Sequence, residues 1–291
     1  MNIALATDDR YAMACGVCIT SVIENNHCED LHFYILTQGI SDDSSSKFET
    51  LKKKYGVEID ILNVDTSVLE GLKVSSRFPI SIYYRLLLPQ ILKCDKVLYL
   101  DCDIIVKGEL KPLWNLDMEG TPAIVVEDQC SDDIRVLNRV GREGPYFNSG
   151  VMLMNLVYWR DQALSKKCVD FLYENPQICR YPDQDAMNCI IGDQVRYAEY
   201  GYNFQELMYM KPEKLLLHRS KWENIFKWKS APVVLHYTGW IKPWYVECNH
   251  PERDTFLRFK KLSPWADSQL LRFYGIGDRI CMWGRKWLRK L

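Results

Sequence analysis

No stretch of the sequence approaches the ~18–20 consecutive apolar residues that a bilayer-spanning helix needs, which argues against an integral membrane protein. The sequence also has no internal repeat and no low-complexity tract, so solenoid and disordered architectures are excluded. Its first residues, MNIALATDDR, contain no basic segment followed by an apolar stretch, and we therefore expect no secretory signal. These absences favour a globular cytoplasmic protein.

Net charge is almost absent as well. The 291 residues carry 37 Lys and Arg against 38 Asp and Glu, a formal charge of −1, and we expect no nucleic-acid partner. Apolar residues make up 47% of the chain, which is enough for one large α/β domain with a sizeable core.

Paired cysteine motifs are scarce, although the chain has eleven cysteines. The odd count and the scattered positions indicate reduced thiols that pack as small apolar side chains. One CxxC motif, Cys15-Gly-Val-Cys18, follows a predicted strand, and a redox or zinc role is the alternative for it. A zinc site would need a second ligand pair, and no other CxxC exists in the sequence, so we interpret the motif as a helix face packed on a sheet.

Charge is distributed unevenly along the chain. Residues 258–291 contain nine Lys or Arg and two Asp, a net +7, which leaves −8 for residues 1–257, and we predict a domain and a separate tail with this boundary. In the tail, basic residues lie between apolar residues that recur at helical spacing, at positions 276, 280, 283, 287 and 291. This pattern predicts an amphipathic helix on the anionic inner face of the cell membrane, with Trp283 and Trp287 at headgroup level. A C-terminal helix packed on the domain is the alternative.

Strand-like and helix-like segments alternate through the first hundred residues. Short apolar runs predict strands at 2–7, 31–37, 57–64 and 96–100, and helical spacing predicts helices at 11–25, 42–55 and 80–93. The second half predicts strands at 122–127, 150–155 and 232–237 and helices at 156–174 and 184–191. This rhythm indicates an α/β fold, with a mostly parallel, Rossmann-like sheet and helices on both faces. In such sheets the ligand lies beyond the carboxyl ends of the strands.

The motif VLYLDCD at residues 97–103 ends one of these strands with two carboxylates. Residues i and i+2 of an extended chain point to the same side, so Asp101 and Asp103 would repel each other unless a cation lay between them. Oxygen ligands favour Mg²⁺ or Mn²⁺, which also bind substrate phosphates. A polar turn that simply closes the strand is the alternative, because an isolated D-x-D is short and common.

Other polar residues lie at predicted strand ends. Asp8 and Asp9 follow the first strand, and His236 ends the last buried strand just before a turn that contains Gly239 and Lys242. A glycine lets a diphosphate approach the backbone, and the lysine supplies a positive charge. A histidine beside two carboxylates would favour Mn²⁺ over Mg²⁺. A histidine buried and hydrogen-bonded in the core is the alternative.

Two further clusters fit this arrangement. Residues 146–150 read YFNSG before an apolar run, and residues 182–188 read PDQDAMN at the start of a predicted helix. Asp183 has an alternative role as the cap of that helix.

Together these segments resemble glycosyltransferase family 8, which includes bacterial lipopolysaccharide α-galactosyl- and glucosyltransferases and glycogenin. The resemblance covers residues 3 to about 250 and rests on six motifs in the family's order, which are ALATDDRY (4–11), ISIYYRLLLP (80–89), KVLYLDCDIIV (96–106), YFNSGVMLMNL (146–156), PDQDAMN (182–188) and HYTGWIKPW (236–244).

The resemblance implies a GT-A nucleotide-sugar-binding fold, a UDP-hexose donor and Mn²⁺, with Mg²⁺ as a possible substitute. It implies that Asp101, Asp103 and His236 hold the metal. The donor would contact twelve residues, which are Ala6, Thr7, Asp8, Tyr11, Arg85, Asp101, Cys102, Asn148, Asp183, Gln184, Gly239 and Lys242. Close bacterial members often carry Asn where this chain has Arg10, so the contact at that position stays open.

The activity implied by the resemblance is transfer of galactose or glucose to a hydroxyl with retention of the anomeric configuration. The acceptor would be a saccharide or a glycolipid in the assembly of lipopolysaccharide or another cell-surface polysaccharide. The amide oxygen of Gln184, the implied catalytic group, is a poor nucleophile, which favours front-face attack by the acceptor; Asp183 is the alternative nucleophile or cation stabiliser. A glycogenin-like self-glucosylating protein and a non-catalytic nucleotide-sugar-binding module remain alternative functions.

Overall fold

The computed structural model describes residues 1–27, 29–75, 78–209, 215 and 217–273 of the chain. Within these residues the strands are β1 (Asn2–Ala6), β2 (His32–Thr37), β3 (Glu58–Asn63), β4 (Lys96–Leu100), β5 (Ile104–Val106), β6 (Ala123–Glu127), β7 (Phe147–Asn155), β8 (Arg196–Tyr197), β9 (Phe204–Gln205) and β10 (Val234–His236). The helices are α1 (Ala12–Asn25), α2 (Asp42–Tyr55), α3 (Leu88–Ile91), α4 (Lys111–Trp114), α5 (Ile134–Val140), α6 (Leu156–Asp161), α7 (Leu164–Glu174), α8 (Pro182–Ile191), α9 (Trp222–Lys229) and α10 (Arg253–Leu262).

Seven strands form the main sheet in the order β3-β2-β1-β4-β7-β6-β8. Every neighbouring pair is parallel except the two pairs that contain β7, which runs antiparallel to β4 and β6. Because β7 is reversed, its first residues lie at the same sheet edge as the carboxyl ends of β1, β4 and β6. All four strands therefore deliver side chains to one edge.

Helices cover both faces of this sheet, as alternation along the buried strands requires. In β1, the side chains of Ile3 and Leu5 pack with α1, α2 and α10, whereas Ala4 packs with α7, α8 and the 3₁₀ segment Ile80–Leu87. The predicted α/β class, with a mostly parallel sheet between two helical layers, is confirmed.

A second sheet of three short strands, in the order β5-β10-β9, extends from the carboxyl end of β4. β10 is antiparallel to β5 and parallel to β9. This small sheet carries residues from the last third of the chain to the end of β4, where the D-x-D motif lies.

The described part of the predicted tail packs on the domain. Helix α10 crosses the boundary predicted at residue 257, and Phe259 and Trp265 belong to the same buried core as α1. Trp265 lies so close to Gly16 that a Cβ on the glycine would be 2.0 Å from its ring. The Lys260 ammonium fixes the following turn by donating to three backbone carbonyls of residues 265–268. From residue 274 onward, the predicted amphipathic segment lies outside the described residues.

Several elements differ from the sequence-based expectation. The segment predicted as one helix over 80–93 is a 3₁₀ helix over Ile80–Leu87 followed by α3, and β7 begins at Phe147 rather than residue 150. The short strands β5, β8 and β9 were not predicted. In the part of the chain that the structure describes, no helix has the length and apolar character needed to cross a membrane.

Candidate functional site

The predicted metal ligands meet where the two sheets join. Asp101 and Asp103 follow β4, and β5 begins directly afterwards at Ile104. His236 ends β10 and lies opposite Ile104 in the antiparallel pair, while the Tyr237 amide donates to the Asp103 carbonyl at 3.0 Å. The register of this short pair therefore places a histidine from far downstream beside the D-x-D motif.

These three side chains form a compact set of oxygen and nitrogen ligands. His236 Nε2 lies 3.2 Å from Asp103 Oδ1 and 3.8 Å from Asp101 Oδ2. One ligand atom from each residue lies within 4.8 Å of the other two, close enough for all three to contact one ion. Two carboxylates beside an imidazole suit Mn²⁺, and Mg²⁺ is the harder alternative. The cluster therefore has the chemistry needed to hold a divalent cation.

Lys242 reaches the same cluster from the turn after β10. Its Nζ donates to Asp103 Oδ2 and to the Tyr237 carbonyl, both at 2.6 Å. Burial favours the neutral form of the Asp103 carboxyl, but the Lys242 ammonium holds its pKa below the usual range. Asp103 is therefore ionised at neutral pH and available as a cation ligand.

Gly150 provides the space in which the metal ligands approach one another. A Cβ at this position would lie 2.3 Å from His236 Cε1 and 2.7 Å from Asp101 Oδ2. The Asp101 amide also donates to the Gly150 carbonyl at 2.8 Å, which fixes the D-x-D motif against β7. Any larger residue here would push the histidine and the aspartate apart.

Arg85 connects the metal cluster to Asp183. Its guanidinium, 4% exposed, donates to Asp101 Oδ1 at 2.7 Å and to the Ser149 carbonyl at 2.7 Å, and lies 3.2 Å from Asp183 Oδ2. It also lies over the Tyr99 ring, 4.3 Å from the centroid. Burial would lower the pKa of Arg85, but the two carboxylates raise it, so the side chain stays charged. Burial raises the pKa of Asp183, and Arg85 opposes this shift.

Gln184 lies in the first turn of α8, and its amide connects the start of β7 to the end of β6. Its Oε1 accepts from the Ser149 amide at 3.0 Å and from Asn148 Nδ2 at 3.2 Å, while its Nε2 donates to Asp128 Oδ2 at 3.3 Å. Asn148 Nδ2 donates to the same Asp128 oxygen at 3.1 Å. Burial raises the pKa of Asp128, and the hydrogen bond from Asn148 opposes this rise. The predicted donor-sugar residues thus form one buried polar cluster.

The end of β1 lies beside the D-x-D motif. The Cys102 thiol donates to the Ala6 carbonyl at 3.2 Å, and Thr7 continues the buried backbone beyond β1. Asp9, by contrast, turns away, because its Oδ1 accepts from the Ser41 amide at 2.9 Å at the start of α2. Ala6, Thr7 and Cys102 therefore share one edge of the site, while Asp9 supports a helix.

Asp8, Arg10 and Tyr11 follow Thr7 at the same edge of the site. Asp8 accepts a hydrogen bond from the Tyr11 amide at 3.2 Å and pairs with the exposed Arg10 at 2.7 Å. The Tyr11 ring packs edge-on against Trp244, with the ring centroids 5.4 Å apart. Arg10, whose role the sequence left open, is thus an exposed partner of Asp8.

Gly239, in the turn predicted to approach a diphosphate, lies directly against the carboxylate of Glu206. A Cβ on Gly239 would be 1.8 Å from Glu206 Oε2, so a side chain at this position would require the Glu206 carboxylate to move. The next residue, Trp240, is 63% exposed and lines a cavity together with Phe78 and Pro182.

Sequence reasoning missed three residues of the cluster, which are Asp128, Ser149 and Asn203. Asp128 directly follows the predicted strand 122–127, and a search for polar residues at every strand end would have found it. Ser149 lies within the YFNSG motif but was given no role. Asn203 lies between a 3₁₀ turn and the two-residue strand β9, where no sequence pattern marks it.

The CxxC cysteines belong to the buried core beneath this site, where Cys15 lies beside Cys102. Cys15 and Cys18 are fully buried in α1, and burial raises the pKa of both thiols. The nine described cysteines are free thiols. These observations support the interpretation of the motif as a packed helix face.

Comparisons with known proteins show related sequences and a related fold. General stress protein A of Bacillus subtilis (strain 168) is 30% identical over 273 residues, which cover 91% of this chain and 94% of the relative. A lipopolysaccharide 1,2-glucosyltransferase of Escherichia coli is 31% identical over 273 residues, 91% of this chain and 79% of the relative. The crystal structure of the galactosyltransferase LgtC with donor and acceptor sugar analogs superposes with a TM-score of 0.83 at 27% identity, covering 90% of this chain and 96% of that one.

The sequence pattern of glycosyl transferase family 8 matches residues 2–248, nearly the whole described chain. The resemblance found from the six motifs is thereby confirmed, together with the GT-A type of fold. The chain belongs to glycosyl transferase family 8.

Proposed function

We propose that this protein is a retaining, Mn²⁺-dependent hexosyltransferase that moves galactose or glucose from a UDP-sugar to a hydroxyl group of a saccharide or glycolipid. The observation that carries the proposal is the convergence of Asp101, Asp103 and His236 beside Lys242. A cation held there, together with the lysine, would face the phosphates of a nucleotide-sugar. When bound, the metal supplies Lewis-acid stabilisation of the departing diphosphate, worth several kcal/mol.

The remaining donor contacts follow the sheet edge. The uridine would lie along Ala6, Thr7, Asp8 and Tyr11, with Cys102 beside it, because these residues share the edge formed by β1 and the D-x-D motif. Lys242 would leave Asp103 to pair with the diphosphate near Gly239. The sugar would then lie against the buried polar cluster, where Asn148, Asp183 and Gln184 present hydrogen-bonding groups.

Front-face attack by the acceptor is favoured because neither candidate nucleophile is free. The Asp183 carboxylate is engaged by Arg85 and by Ser149 Oγ at 3.2 Å. Gln184 Oε1 already accepts hydrogen bonds from Asn148 and Ser149, which draw electron density away from it. We propose that both groups orient the sugar and stabilise its positive charge, while the leaving phosphate takes the acceptor proton.

An aromatic rim suggests where the acceptor binds. A cavity of about 300 Å³ between Phe78, Pro182 and Trp240 opens beside the start of α8, and the rings of Phe78 and Tyr181 lie edge-to-face 5.9 Å apart. Aromatic faces with polar neighbours suit the apolar side of a sugar ring. Pro182, which lines this cavity, directly precedes Asp183 in the sequence. We propose that an acceptor bound in the cavity would present its hydroxyl to the reacting carbon of the donor sugar.

A donor screen on the protein and on Gln184→Ala tests this proposal. With Mn²⁺ present, the parent should consume UDP-galactose or UDP-glucose but not UDP-N-acetylglucosamine. Loss of hydrogen bonds that face a charged transition state costs about 1.5–3 kcal/mol, so Gln184→Ala should slow transfer by roughly 10- to 100-fold. Its affinity for UDP should stay near that of the parent, because the variant leaves the metal ligands intact.

The matched control is the exposed glutamine variant Gln162→Ala, which should behave as the parent does. Failure of the parent to act on any UDP-hexose would contradict the proposed function. A normal rate for Gln184→Ala would remove only the role proposed for this residue.

We propose in addition that the basic C-terminal residues hold the enzyme at the inner face of the cell membrane, where lipopolysaccharide or polysaccharide acceptors on lipid are assembled. The relative from Escherichia coli is named for lipopolysaccharide, which supports this class of acceptor. A chain ending at residue 273 should no longer co-sediment with anionic vesicles at low salt, while the full chain should. Equal sedimentation of the two chains would reject the membrane role.

A further inference from the structure

Asn203 connects the metal ligand His236 to the polar cluster around Gln184. Its side chain is fully buried, with Oδ1 2.9 Å from His236 Nδ1 and Nδ2 donating to Asn148 Oδ1 at 2.9 Å. The parallel register of β9 and β10, in which His236 pairs with Gln205, holds the two side chains at this distance.

The orientation of both amides follows from groups with a single hydrogen-bonding role. The Gly150 backbone N–H can only donate, and it donates to the Asn148 side chain at 3.0 Å. The Asp128 carboxylate accepts from the other atom of that amide at 3.1 Å. Asn148 therefore presents its oxygen to Asn203, so Asn203 must present its NH₂ group there and its oxygen to His236.

This orientation selects one tautomer of the histidine. A carbonyl oxygen can only accept, so His236 Nδ1 must carry the hydrogen in that bond. In the neutral ring, Nε2 then has a lone pair, and this atom faces Asp103 Oδ1 at 3.2 Å and Asp101 Oδ2 at 3.8 Å. The Nε2 lone pair and the two carboxylate oxygens are then all acceptors, with no hydrogen to share between them. Such an arrangement suits a bound cation and does not suit a hydrogen bond.

We infer that Asn203 is a positioning residue that holds His236 in its cation-binding tautomer and ties the metal site to the Asn148–Gln184 cluster. The inference rests on the proposed function only in assigning a cation to Asp101, Asp103 and His236. Metal-ligating histidines generally donate their second ring N–H to a protein oxygen, and loss of that partner lowers metal affinity by roughly 10- to 100-fold.

The first test is calorimetric titration of Mn²⁺ into the full chain without any nucleotide. Asn203→Ala should bind Mn²⁺ roughly 10- to 100-fold more weakly than the parent. Asn203→Asp keeps an oxygen acceptor for Nδ1–H and should bind closer to the parent than the alanine variant does. Equal affinity in the parent and in Asn203→Ala overturns the inference.

Asn26→Ala is the matched control for loss of a buried asparagine. Asn26 is also buried, at 4% exposed against 0% for Asn203, but its side chain bonds to the Val22 carbonyl and the Leu110 amide, outside the cluster. This control should lower the melting temperature while leaving Mn²⁺ affinity unchanged. Weakened Mn²⁺ binding in both variants to the same degree would overturn the specific role of Asn203.

A second test does not depend on the metal. Long-range ¹H–¹⁵N correlation at alkaline pH, where imidazole is neutral, should report the Nδ1–H form for His236, with the signal assigned by its loss in His236→Asn. In Asn203→Ala the same ring should become a mixture of tautomers. The Nε2–H form in the parent, or no change in the variant, overturns the inference. A parent that binds no divalent cation would overturn the metal assignment of the proposed function, and the tautomer result would still decide the role of Asn203.

Discussion

Asp103→Asn should abolish sugar transfer at every Mn²⁺ concentration while the chain stays folded. The change removes the negative charge that faces both His236 and Lys242 but keeps the shape of the side chain. If the cation contributes several kcal/mol to the transition state, and 1.4 kcal/mol corresponds to tenfold in rate, transfer should fall by roughly 1,000-fold or more. Steady-state assays over a Mn²⁺ series measure this loss, and circular dichroism checks the fold.

The control for this variant is Asp117→Asn, which changes an exposed carboxylate paired with Arg196 at the surface. It should retain the activity of the parent, because exposed ion pairs contribute little. Near-normal turnover of Asp103→Asn would show that the metal assignment is wrong.

Arg85→Met should lower the free energy of unfolding by about 3–5 kcal/mol, the usual cost of removing one partner from a buried ion pair. The methionine fills similar volume but leaves the carboxylates of Asp101 and Asp183 without their shared cation. It also removes the donors to Ser149. Urea unfolding followed by fluorescence measures the change.

The stability of the Arg85→Met variant should also depend on pH. Burial already raises the pKa of Asp183, and loss of Arg85 would raise it further. The folded state would then bind the proton more tightly than the unfolded state, so the stability of the variant should decrease as the pH rises from mildly acidic to neutral.

Arg135→Met is the matched control, since Arg135 is 77% exposed and pairs with Asp133 at the surface. Its unfolding free energy should change by less than about 0.5 kcal/mol. Equal losses in the two arginine variants would contradict the role given to the buried ion pair.

Much of the main sheet is predictable from sequence because strands buried on both faces read as short apolar runs that end in polar residues. Strands β1 to β4 and the first two helices match their predicted segments within two residues. The reversed direction of β7 is not predictable, because a buried strand has the same apolar pattern in either orientation. Strands of two or three residues, such as β5 and β9, exist only through their pairing and leave no periodic signal.

The residues of the candidate site likewise include some that the sequence indicates and some that it does not. Asp101, Asp103, His236 and Lys242 could be singled out because each lies at the end of an apolar strand or in the turn after it, within a motif of the family that the sequence resembles. Asn203 was not found, because an asparagine in an irregular segment is common and its importance comes from two partners distant in sequence. The sequence therefore identifies the charged ligands more readily than the neutral side chains that orient them.

The candidate cation-binding cluster joins distant parts of the sequence, since Lys242, which contacts Asp103, lies 139 residues beyond it and His236 is only slightly nearer. During synthesis, the two aspartates leave the ribosome long before the histidine that lies beside them in the folded chain. A nascent or shortened chain that ends after Asp103 but before His236 would therefore carry both aspartates without the histidine beside them, even where all seven strands of the main sheet were already present. If the proposed metal site is needed for sugar transfer, such a shortened chain would not consume nucleotide-sugar.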